Sequence, residues 1–173
     1  MVTPSVFCNA TSYTFAQTLE SNCTHILNNL VIASIREPTL EALNHLAHVG
    51  GSLLIVGNPL LTNLTGLGAL AYVGAFTIAG NEALTTLDGL TSLTTVGSVS
   101  VQGNERLLHG RGLCSVPNVG SVDLRLGVRD YFSMGFCLRT GFTGSPRRGQ
   151  TSEVARFCCT LLLTFAAYAL RLP

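Results

Sequence analysis

Chemistry in this 173-residue chain would have to come from a short roster of side chains. Of its four histidines, His45 and His48 stand three apart, while His25 and His109 are remote in sequence. A metal centre needs convergent ligands held by orienting partners. The spacing predicts instead two histidines in a solvated bend, and no metal site. Glu82 and Glu105 recur one repeat apart. If the repeats stack like neighbouring strands, one coil separates them by ~5 Å, the kind of carboxylate pair a glycosidase uses. Each follows a turn on an edge, however, where charges are normally solvated, so no catalytic residue is assigned. The stretch from Gly144 to Thr151 imitates a phosphate-binding loop but carries Gln150 where a lysine would meet the phosphates. No apolar strand precedes it. Neither an enzyme nor a cofactor is expected.

What would position such residues is a repeat. Gly51, Gly74, Gly97 and Gly120 are spaced by 23 residues, as are Asn58, Asn81 and Asn104. A fixed period of this length marks a solenoid, whose coils bury their apolar sides only against one another. Five strand-like cores recur: Leu30-Val-Ile32, Leu53-Leu-Ile55, Phe76-Thr-Ile78, Val99-Ser-Val101 and Val122-Asp-Leu124. Their alternation predicts strands with one buried face. Between strands the apolar residues come every third position, as in Leu61, Leu64, Leu67, Leu70 and Val73. That spacing, rich in intervening Thr and Gly, fits a chain bending around a core better than a 3.6-residue helix. The first coil runs one residue long, and the extra residue falls at Gly50-Gly51. Asn58, Asn81 and Asn104, each just after a strand, should stack as an internal ladder that satisfies backbone groups left unpaired by the bend. Before the array, Phe15 and Leu19 are spaced for a short amphipathic helix.

Solenoid ends expose apolar surface and need caps. Cys8 and Cys23 precede the array and Cys114 and Cys137 close it, so these are the economical pairs, although six cysteines do not fix their own connectivity. Reduced buried thiols are the alternative. Sequons at Asn9, Asn22 and Asn63 favour a secretory route. The opening residues have neither the basic nor the apolar region of a signal peptide, so a secreted reading places the leader outside this chain. Charge is sparse and nearly balanced, which gives no footprint for nucleic acid.

The run Cys23-Thr-His-Ile-Leu-Asn-Asn-Leu-Val-Ile32 and the recurring motif of Val73-Gly-Ala-Phe-Thr-Ile-Ala-Gly-Asn-Glu-Ala-Leu84 resemble the receptor L domain. That leucine-rich module occurs in insulin- and EGF-receptor ectodomains, and similar repeats occur in fungal GPI-anchored cell-wall proteins. The resemblance spans about residues 8–137. It implies a right-handed β-helix, here of about five coils, and offers no catalytic residues to carry over. The second L domain, cysteine-rich module and kinase of those receptors have no counterpart in this sequence, so receptor signalling is not carried over.

The expected organisation is an N-terminal cap over 1–28, a β-helical solenoid with its C-terminal cap over 29–137, a polar linker over 138–156 and an apolar tail over 157–173. Phe157 to Leu170 carries no charge but is shorter than the roughly twenty residues of a spanning helix. Small residues, a polar spacer and this tail follow the order of a GPI signal, with Arg171 against it. A membrane segment, a helix packed on the solenoid end and a gene-model artefact are the other readings.

The outward strand positions Val31, Leu54, Val56, Thr77, Ala79, Ser100, Gln102, Asp123 and Arg125 form the expected binding face. The functional expectation is a non-catalytic extracellular or cell-surface module that recognises a protein or glycan. A surface-coat component and an intracellular scaffold or truncated gene product are the alternatives.

Overall fold

The computed structural model describes residues 5–108, 110–114 and 116–125. The strand alternation and the 23-residue period together produce one parallel sheet, wound as a solenoid. Its full rungs are β4 (Asn29–Ala33), β5 (His48–Val56), β6 (Tyr72–Ala79), β7 (Thr95–Gln102) and β8 (Asn118–Arg125). Each pairs in parallel with the next. Five rungs enclose about four turns. From β5 onward the strands extend well beyond the three-residue cores, because each also takes in the glycines and the two residues before them.

The first rung is split. Strands β1 (Phe7–Cys8) and β3 (His25–Ile26) continue the front half of β5, while β2 (Ser12–Thr14) continues β4. Between them lies α1 (Phe15–Ser21), started by a capping box in which Thr14 and Gln17 satisfy each other's backbone N–H. Its inward residues are Phe15 and Thr18. Leu19 is 36% exposed, so the expected Phe15–Leu19 stripe is rotated away from the core. The disulfide Cys8–Cys23 closes this cap.

Apolar residues every third position become a series of tight turns. Leu67 N–H donates to Leu64 C=O and Leu70 N–H to Leu67 C=O, both at 3.1 Å. Each closed three-residue step returns a leucine to the inside, so Leu61, Leu64, Leu67 and Leu70 are fully buried, as are Leu84 and Leu87 one coil later. Neighbouring coils are stitched by backbone bonds, such as Thr85 N–H to Thr62 C=O.

Two glycine positions have separate causes. Gly74, Gly97 and Gly120 lie where the rungs approach most closely: a Cβ on any of them would collide with the carbonyl oxygen of the glycine one rung before. Gly57, Gly80 and Gly103 take φ of 62°, 61° and 61°, the left-handed turn leaving each strand. In the first coil Ser34 holds that conformation, at φ 54°. The one-residue slip is absorbed at this level too. The β5–β6 register shifts between Val49 and Ser52, a bulge at Gly50-Gly51.

Just past each strand the asparagines are buried and bonded to one another. Asn81 Oδ1 accepts from Asn58 N–H at 3.0 Å and from Asn58 Nδ2 at 2.9 Å, and Asn81 Nδ2 donates to Ile55 C=O. Asn104 repeats the pattern toward Asn81 and Ile78. Asn58 closes it by accepting from Ile35 N–H and donating to Ile32 C=O.

Candidate functional site

Alternation along each rung sends one set of side chains into the core and the other onto the outer face of the sheet. Because the rungs are in register, the outward residues line up in columns across the strands. One column runs Val31, Leu54, Thr77, Ser100 and, by backbone register, Asp123. A second runs Ala33, Val56, Ala79, Gln102 and Arg125. The expected face residues are thus brought together on one surface. From β4 to β7 they are half-buried, apart from exposed Ala33 and Gln102, and none is charged. Ser52, Ala75 and Ser98 form a third column of small side chains beside them.

A fourth column was missed in the sequence. Phe7, His25, His48 and Tyr72 are direct register partners on β1, β3, β5 and β6. Their ring centroids are 4.7, 5.8 and 4.6 Å apart in that order, and the last two pairs are stacked. The rings form a continuous ridge of roughly 15 Å, three strand spacings. It lies on the far side of the glycine corner from the small-residue columns. Phe7 is 63% exposed at its open end, and Leu27 (42%) stands beside it, one residue past Ile26 where later rungs carry glycine. His48 is therefore a strand residue packed between rings, and the expected solvated bend is corrected. Burial first, and then the charge of His25, hold its pKa below the ordinary 6.5. His45 does lie in the preceding loop, but its Nε2 is enclosed, with no hydrogen-bond partner among the described residues.

Other expected sites fall as follows. Glu82 and Glu105 are both exposed, on the edge after the asparagine ladder. No cluster of three or more His, Cys, Asp or Glu able to hold a metal occurs among the described residues. Asn9 and Asn22 are exposed; Asn63 is half-buried, its Oδ1 accepting from Thr65 N–H. Cys114 ends the short helix α2 (Arg111–Cys114). Cys137, the phosphate-loop mimic at 144–151 and the tail lie outside the described residues, and no described helix is long and apolar enough to cross a membrane.

The model of the Receptor L domain family matches residues 22–115, more than half of the chain. The chain belongs to the Receptor L domain family. The match runs from just before the second cysteine of the cap to the end of α2, and so contains the asparagine ladder and rungs β4 to β7. No curated protein and no solved structure matches the chain. A Receptor L domain is a non-catalytic module, typically one that binds. The family and the disulfide together point to an extracellular module. Within this Receptor L domain the outward strand residues of β4 to β7 form one continuous set of columns on the sheet.

Proposed function

We propose that this Receptor L domain works as an extracellular or cell-surface recognition module, capturing a protein or glycan partner on the outer face of its parallel sheet. The observation that carries this reading is the uncharged field formed by Val31, Leu54, Val56, Thr77, Ala79, Ser100 and Gln102 across four rungs. Small, neutral, half-buried side chains on a rigid sheet offer area to a partner at little desolvation or ordering cost. Asp123 and Arg125 continue these columns by backbone register on β8. The order of residues 141–170 supports attachment to a membrane through a GPI signal.

The test is capture of cells or extracellular matrix by wild type and by Leu54→Arg and Thr77→Arg. Either arginine would place an unpaired charge in the middle of the face, and binding should fall at least tenfold with the fold intact by circular dichroism. Unchanged binding would remove the strand face as the site. The extracellular assignment has its own check. Material expressed with a leader should carry glycan on Asn9, Asn22 or Asn63 and keep the Cys8–Cys23 bridge, and free thiols at both Cys8 and Cys23 with no glycan would sink it.

A further inference from the structure

The ring column crosses from the cap onto the rungs of the solenoid. Phe7 and His25 belong to the cap and move together, because Cys8–Cys23 ties β1 to the residues just before β3. His48 and Tyr72 belong to full rungs. Between them, β3 meets β5 along only two residue pairs, His25 with His48 and Ile26 with Val49. Backbone bonds from Ala47 and His48 N–H to Thr24 C=O and from Gly51 N–H to Asn28 C=O flank these two pairs. The boundary between cap and solenoid at this point therefore runs between two stacked imidazoles, with ring centroids 5.8 Å apart.

We propose that the His25–His48 pair is a proton-sensitive seam, closed when the imidazoles are neutral and loosened when both are protonated. In the neutral state the stack runs unbroken from Phe7 to Tyr72 and holds β3 against β5. Two protons place like charges face to face across the two-pair ladder. The groups that meet the pair are few. β1 contributes only the uncharged ring of Phe7, and β6 contributes the ring of Tyr72. Thr24 fixes the His25 ring: its Oγ1 lies 2.9 Å from Nδ1 and accepts from Val6 N–H at 2.7 Å. His45, in the loop before β5, is the next titratable side chain in sequence. Among the described residues, the charge that acts on His48 is that of His25. The depressed pKa of His48 accords with this arrangement.

Hydrogen exchange of the full-length, disulfide-intact chain tests the seam, read by mass spectrometry at pH 7.5 and pH 5.0 after correction for intrinsic rates. Protection of peptides spanning residues 5–27 should fall about tenfold on acidification. Peptides spanning β6 and β7 should hold. His48→Tyr repeats the Tyr72 ring one rung earlier and should abolish the fall. His25→Phe, repeating Phe7, should do the same and serves if the first variant folds poorly. Equal cap protection at the two pH values in wild type would overturn the proposal. So would an undiminished fall in both variants.

Discussion

At the scale of single residues, Asn81 shows how a polar side chain can be buried without being a site. It is completely enclosed, yet its oxygen accepts two bonds from Asn58 and its amide donates to Ile55 C=O and to Asn104 Oδ1. Removing it would strand donors and an acceptor in the core, at about 1–3 kcal/mol for each orphaned group. Asn81→Ala should therefore lower unfolding free energy by roughly 3 kcal/mol or more, measured by urea titration. His48 works in the opposite sense, since its depressed pKa means that the unfolded chain binds its proton more tightly. Its contribution is fully present above the ordinary 6.5 and is lost as pH falls through that value toward the folded pKa. Urea midpoints between pH 7.5 and 5 should fall in wild type and flatten in His48→Tyr. The asparagine ladder was legible in the sequence because its members recur at one period after one motif. The ring column was not: Phe7, His25, His48 and Tyr72 are unevenly spaced, and two of them sit in a split rung.

Among the elements, the corner glycines decide how closely the rungs pack. Gly74→Ala would drive a Cβ into the Gly50 carbonyl, which is backbone and cannot swing aside. Substitution there should cost more than at Gly57, where nothing lies within 4 Å of a new Cβ and only the left-handed φ resists. The Gly57→Ala cost should be about 1–2 kcal/mol. Thermal unfolding of the two variants side by side would check the order, and an equal loss would mean that the close approach is not limiting. The sequence marked both glycine series by their period, but it could not separate the causes. One is a collision across rungs and the other is a dihedral within one residue.

For the molecule as a whole, the solenoid needs its first rung covered, and the Cys8–Cys23 bridge does this by fixing β1 beside β3. The bridge closes a loop of 15 residues, which on chain-entropy grounds stabilises by about 3 kcal/mol. Reduction should loosen the cap before the array: fast exchange would appear first in residues 5–27, with β6 and β7 still protected. Simultaneous loss throughout would show instead that cap and array unfold as one unit. The Cys8–Cys23 pairing was legible because a solenoid end needs closing and these two cysteines precede the array. The face proposed for binding was legible only residue by residue, as the odd members of an alternation.

The period, the alternation and the three-residue leucine spacing by themselves determined a leucine-rich parallel solenoid, because each is a local rule that every coil must obey in order to bury its neighbours. Tertiary structure decided what those rules leave free. Register turned scattered outward residues into straight columns, and it brought Phe7, His25, His48 and Tyr72 into contact from positions as far apart as the cap and the third full rung. Contacts across rungs depend on which residues lie side by side about 4.8 Å apart. That is set by the bulge at Gly50-Gly51 and by the split first rung, neither of which the repeat itself encodes.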